Sequence, residues 1–226
     1  MSLSIAELIV LEAARQVPVR GSNLSAVQSS DSAWMPGVSF EVDVESPLHE
    51  LLARRMSSRD LAGSIDFGEL QHLLSLLAVP VGNQRRRLGA ATTGGLGAQK
   101  LLCLVSSVEG LNPGVYEVDW SRGALQPLMV SAEAVSRVLE KVSTFMGAPS
   151  ATPAVVMLCI ADWHRLSSAY ENGVLVSALW DAGSMLAHLY LAASEIGVGC
   201  CAVSALDDGT FVTAAELDPE RWGHVG

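Results

Sequence analysis

Residues 173–196 restrict more than any other segment what this chain can become. Apolar side chains occupy nearly every face of a helix drawn through them. A helix without a polar stripe has to be covered all round, so this one is expected at the centre of the fold or at a subunit interface. From Ala178 to Ile196 it approaches the length of a membrane span. Asp181, Ser184, His188 and Glu195 interrupt it, leaving no apolar run of the roughly 18 residues a span needs. A mean hydropathy of +0.34 leaves surplus apolar surface, read here as subunit interface.

The remaining composition fits this picture. The 226 residues suffice for a full core, and 50% hydrophobic against 17% charged residues describes a globular chain. Only 5% are aromatic, so that core is expected to consist of Leu, Val and Ala. With 24 acidic against 14 basic residues the formal charge is −10, which disfavours nucleic acid and anionic membrane as partners. Arg85-Arg86-Arg87 is a short local exception. The N-terminus lacks the charged, apolar and cleavage regions of an export signal, so a cytoplasmic location is expected. Cys103, Cys159, Cys200 and Cys201 lie in apolar runs without C-x-x-C spacing and read as free thiols.

Element by element, residues 5–15 suggest a short helix, and 18–40 a Ser/Gly/Pro-rich lead-in. Helix is expected at 47–55. A second helix starts at Asp66, with Glu69 completing a capping box and Leu70, Leu73, Leu74 and Leu77 forming its stripe. Residues 81–97 read as a basic, Gly-rich loop leading into a strand at 101–106. A turn at 110–114 precedes a strand at 115–120. Ser131 is placed as the cap of a helix carrying Val135, Val138, Leu139 and Val142, and 154–160 as an apolar strand. After the long helix, 197–204 is expected to be a strand and 207–217 a closing helix. This order makes the fold α+β.

Arg55-Met56-Ser57-Ser58-Arg59 is the densest chemical signal. Guanidinium forks match phosphate oxygens and serine hydroxyls add hydrogen bonds, although a solvated helix end looks much the same. Gly94-Gly95-Leu96-Gly97 is no dinucleotide fingerprint, because it opens a strand rather than a helix. Gly89 to Gly95 lacks the Lys-Ser/Thr ending of a P-loop. The five histidines show no metal-ligand spacing, so no metal is expected, and His188 reads as a core histidine.

Taken together, the segments resemble the nitroreductase-fold flavoproteins, and among them the SagB-type dehydrogenases that oxidise azolines in ribosomal peptide natural products. The family's Arg-Arg-Ser-x-Arg stands here as Arg55-Met56-Ser57-Ser58-Arg59. Its Pro-Ser-Ala-Gly-Ala-Leu stands as Ala91-Thr92-Thr93-Gly94-Gly95-Leu96, and its Gly-x-Tyr hairpin strand as Gly114-Val115-Tyr116-Glu117-Val118. Its Glu-Ala-Gly-His appears as Asp181-Ala182-Gly183-Ser184, followed by a matching run from Leu189 to Gly199. The likeness spans about Leu48 to Pro219.

The resemblance implies an FMN-dependent, dimeric, nitroreductase-like α+β fold: a central, mostly antiparallel sheet flanked by helices at 47–226, after a lead-in at 1–46. It implies FMN held by Arg55, Ser57, Arg59, Thr92, Thr93, Gly94, Ala202, Val203 and Ser204. The implied reaction is oxidation of azoline rings to thiazole or oxazole in a modified precursor peptide, with a homodimer and a cyclodehydratase complex as partners. Counting back from Asp181, the family's Lys-Tyr pair falls on Ala169-Tyr170, which makes Tyr170 the catalytic candidate without its lysine. An adjacent ammonium would favour the phenolate, and Ala169 removes it. Two other readings follow: a non-catalytic scaffold or peptide-binding subunit, and a small-molecule NAD(P)H nitroreductase.

Overall fold

The structure, a computed structural model, describes residues 45–61, 63–81, 85–146, 152–203, 211–212 and 215–226. The helix expected at 5–15 and the lead-in at 18–40 lie outside the described residues. So does most of the closing helix expected at 207–217, although Phe211 and Val212 are helical and buried.

The centre is a five-stranded sheet whose neighbours are all antiparallel. Its strands are β4 (Gln99–Val105), β6 (Gly114–Asp119), β7 (Ala124–Leu128), β8 (Val155–Asp162) and β9 (Trp222–His224), in the order β7-β6-β4-β8-β9. Strand β4 runs Leu101-Leu102-Cys103-Leu104-Val105 without polar alternation because both of its faces are covered. Leu101, Cys103 and Val105 join one core cluster with α2 (Phe67–Leu77) and α5 (Val174–Ile196). Leu102 and Leu104 join the other, with Val138, Val142 and Met146 of α3 (Ala132–Met146).

The helix signals act as the sequence suggests. The Asp66 side chain accepts the Glu69 N–H at 2.8 Å while the Glu69 carboxylate accepts the Asp66 N–H at 2.9 Å, and Leu70, Leu73 and Leu77 are buried. Ser131 Oγ accepts the Ala134 N–H at 3.2 Å at the start of α3. Helix α5 begins after Gly173 and ends at Gly197, both left-handed (φ 77° and 78°), where glycine carries no steric penalty. By length and composition alone α5 could cross a membrane. Here Ala178, Ala182, Met185 and Leu189 are buried in the core. The first helix, α1 (Pro47–Arg54), and the short α4 (Trp163–Ser167) also lie against α5.

Three expectations change. Residues 81–97 are not all loop: β2 (Ala78–Val81) pairs antiparallel with β3 (Arg85–Leu88), and a short 3-10 turn spans Thr93–Gly95. Residues 198–203 form no strand, because backbone groups there bond a tyrosine hydroxyl and a neighbouring loop instead of a ladder. Strands β7 and β9 extend the sheet beyond the strands expected, and β1 (Ile65–Asp66) pairs in parallel with β5 (Val108–Glu109).

Candidate functional site

The arginine segment follows α1 directly. Arg55 leaves the helix in extended conformation while its N–H still bonds Leu51 O. Arg54 pairs with Glu195 at 3.2 Å, so the helix end has its own ion pair. Neither Arg55 nor Arg59 has a carboxylate partner among the described residues.

What holds this segment is Tyr190, a residue the sequence reading passed over. Its hydroxyl meets Ser57 Oγ at 3.0 Å and accepts the Ala202 N–H at 2.7 Å. The Arg55 guanidinium lies over its ring, 5.4 Å from the centroid. Beside it the Ser58 N–H donates to Cys200 O at 2.9 Å. A side chain at Gly199 would push against the tip of Leu61 and touch Ser58, so glycine there eases the close approach of the two loops. Arg55, Ser57 and Ala202 of the expected set therefore come together, with Arg59 on the same segment. Val203 is half-buried against the second core cluster, and Ser204 lies outside the described residues.

A second cluster gathers at the first half of α5. The Asp181 carboxylate accepts the Thr93 N–H at 2.6 Å and the Thr93 hydroxyl at 2.7 Å, both through Oδ1. Thr93 thus faces the helix. Thr92 Oγ1 accepts the Gly97 N–H at 3.3 Å. Gly94 is left-handed (φ 59°), and the hydroxyl of Tyr170 fills the space where its side chain would be, 2.5 Å from the position a Cβ would take. Gly95 and Gly97 leave bare backbone facing open space. Tyr170 follows α4 and is fixed there by its N–H to Leu166 O at 3.0 Å. Ala169 beside it is exposed.

The two clusters do not merge within one chain. Asp181 and Tyr190 are separated along α5 by roughly 13 Å of helical rise and half a turn of rotation. The Arg55 guanidinium at Tyr190 and the threonine-glycine turn at Asp181 therefore lie on opposite sides of the helix. Next to the Gly94 cluster, α5 exposes Leu179 at 43% and Trp180 at 71%.

Three of the four cysteines carry thiols with raised pKa values. All four are free; burial pushes Cys103 and Cys159 up to about 12, and burial together with neighbouring Cys201 pushes Cys200 to about 11.

The sequence profile of the nitroreductase family matches residues 53–225. The chain belongs to that family. Its members generally use a flavin, FMN. No curated protein matches the chain. Among solved structures, this nitroreductase-family chain is similar to a chain of the E. coli microcin synthetase McbBCD complex with truncated pro-MccB17 bound. That likeness has a TM-score of 0.62 at 18% identity, over 94% of this chain and 83% of the other. A Ralstonia eutropha protein assigned as a nitroreductase gives 0.59 at 15% identity, over 85% and 88%. An Anabaena variabilis protein assigned likewise gives 0.54 at 16% identity, covering 70% of this chain and 33% of the other. At these identities the likeness establishes the fold.

Proposed function

We propose that residues 47–226 form an FMN-binding domain that dehydrogenates azoline rings in a modified peptide, at a site shared between two copies of the chain. The observation that carries this reading is the seating of the Tyr170 hydroxyl on Gly94, beside the turn that resembles the family's cofactor segment. The residues suit FMN. Arg55 has no carboxylate partner among the described residues and lies over Tyr190 beside the Ser57 hydroxyl, and Arg59, also without one among them, follows on the same segment. Gly95 and Gly97 open a bare backbone edge on the other side.

Because these halves lie on opposite sides of α5, a complete site calls for the arginine segment of one copy and the glycine turn of another. Exposed Leu179 and Trp180 supply apolar surface for that pairing. When bound, FMN supplies a two-electron acceptor for hydride. Converting an azoline to an azole removes one ring hydrogen as hydride and one as a proton. In this reading Tyr170 takes the proton, and Ala169 leaves it without an ammonium at the preceding position. The solved likeness bound to a truncated pro-peptide supports a peptide substrate and a synthetase partner.

A second reading is supported by Ala169 itself: a flavin-fold subunit that binds peptide without catalysis. Purified protein decides between them. Flavin absorbance, together with loss of two mass units from an azoline-bearing peptide, supports dehydrogenation. Colourless protein that still binds the peptide supports the subunit reading and overturns the first.

A further inference from the structure

We propose that Asp181 is the positioning residue for Tyr170, acting through Thr93 and Gly94. Its consequence for catalysis rests on the dehydrogenase reading above; the contacts themselves do not.

Asp181 sits midway along an apolar helix and is only 3% exposed. Burying a carboxyl group there costs free energy unless hydrogen bonds offset it. Its bonded partners lie on one distant residue, the N–H and hydroxyl of Thr93, 88 positions away in sequence. Both bonds converge on Oδ1, and Oδ2 is buried with no hydrogen-bond partner among the described residues. A helix needing only packing would carry Ala or Leu at this position. The acid instead anchors the turn that begins at Thr93.

That turn ends against Tyr170. The Gly95 N–H bonds Thr92 O at 2.9 Å and the Leu96 N–H bonds Thr93 O at 3.2 Å, so Gly94 is held within a closed turn. The missing side chain of Gly94 is the notch that receives the Tyr170 hydroxyl. Asp181, Thr93, Gly94 and Tyr170 thus form one contiguous line of contacts. Without the acid the turn is free to shift, the notch shifts with it, and the hydroxyl loses its seat. A misplacement of about 1 Å at a reacting group can cost on the order of 100-fold in rate.

The test uses full-length protein labelled with 13C in the tyrosine rings. The chain has 3 tyrosines, and Tyr170→Phe assigns the relevant resonance. Asp181→Ala should move or broaden the Tyr170 signal while those of Tyr116 and Tyr190 stay in place. Asp181→Asn, which keeps an acceptor for Thr93, should restore it. Thr93→Val, which removes one bond, should give a smaller change and stands in if Asp181→Ala fails to fold.

In the flavin-loaded protein, Asp181→Ala should lower kcat about tenfold or more with KM little changed. It should have no further effect in a Tyr170→Phe background. An unmoved Tyr170 resonance, equal movement of all three tyrosines, or additive losses in the double variant would overturn the proposal. Parent protein lacking flavin or activity overturns the dehydrogenase reading instead, and leaves the resonance test standing.

Discussion

Tyr190 accepts the Ala202 N–H and meets the Ser57 hydroxyl through one oxygen, so a single phenol joins two segments far apart in sequence. Its ring also carries the Arg55 guanidinium. The geometry of the proposed phosphate end therefore depends on a residue that need not touch phosphate. Tyr190→Phe removes both hydrogen bonds and keeps the ring under Arg55. Neutral hydrogen bonds contribute about 0.5–1.5 kcal/mol each, so flavin affinity should fall several-fold. Fluorescence titration of FMN checks this; unchanged affinity would show that the Arg55 contact alone sets the segment.

Arg59 is exposed and lacks an ion-pair partner among the described residues. Replacing it should not unfold the protein. Arg59→Ala should weaken FMN binding about tenfold or more, the ordinary worth of a charged hydrogen bond to phosphate. Equal flavin content in parent and variant after gentle purification would remove Arg59 from the site.

Trp180 is 71% exposed on the central helix. Trp180→Glu should leave the thermal midpoint of an isolated chain nearly unchanged yet place a charge in the proposed interface. Light scattering at micromolar concentration should show a dimer for the parent and a monomer for the variant, with flavin lost as the shared site opens. A parent that is already monomeric defeats the shared-site reading.

Asp162, at the end of β8, receives Arg221 Nε at 3.1 Å and Nη2 at 2.8 Å, tying the approach to β9 onto the sheet. Burial would raise this carboxyl, but the Arg221 hydrogen bonds, the Arg165 N–H and the nearby charges outweigh it and leave its pKa below the ordinary value. A carboxyl lowered on folding adds stability above its unfolded pKa of about 3.9, and loses it as pH falls through the lower folded value. Arg221→Gln should therefore lower the thermal midpoint at pH 7 and make little difference near pH 2. A penalty independent of pH would assign Arg221 a packing role.

Much of the fold was legible because its signals are local. The Asp66–Glu69 capping box and the apolar run of β4 sit within a few residues and mean the same in any context. The hairpin β2–β3 was hidden by Pro80, which cannot donate to a ladder, and by three arginines that read as loop. Residues 197–204 look like a strand in composition, yet the backbone of Ala202 bonds Tyr190 and that of Cys200 bonds Ser58, which no local pattern reveals. In the site, the Arg55–Arg59 segment carries its chemistry in its own residues. Asp181 does not: it read as an interruption in an apolar helix and as the counterpart of the family's Glu-Ala-Gly-His glutamate, and its contact with Thr93 lies far away in sequence.

Ala169 is where this chain departs from the dehydrogenases it resembles, and it offers the sharpest test of mechanism. The residue is exposed, so a lysine can be accommodated there without disturbing the core. An ammonium beside Tyr170 favours the phenolate and makes the base available at lower pH. Ala169→Lys should therefore raise azoline oxidation at neutral pH or move its optimum downward. Tyr170→Phe should reduce turnover by about 10²–10⁴-fold while FMN stays bound, the usual cost of losing a general base. The two changes must interact: in the Tyr170→Phe background, Ala169→Lys should give no gain. Rate profiles of the four proteins from pH 6 to about pH 10 measure this directly. If Tyr170→Phe turns over as fast as the parent, the tyrosine only packs against Gly94. The proton then leaves by another route, while the fold and the flavin assignment stand.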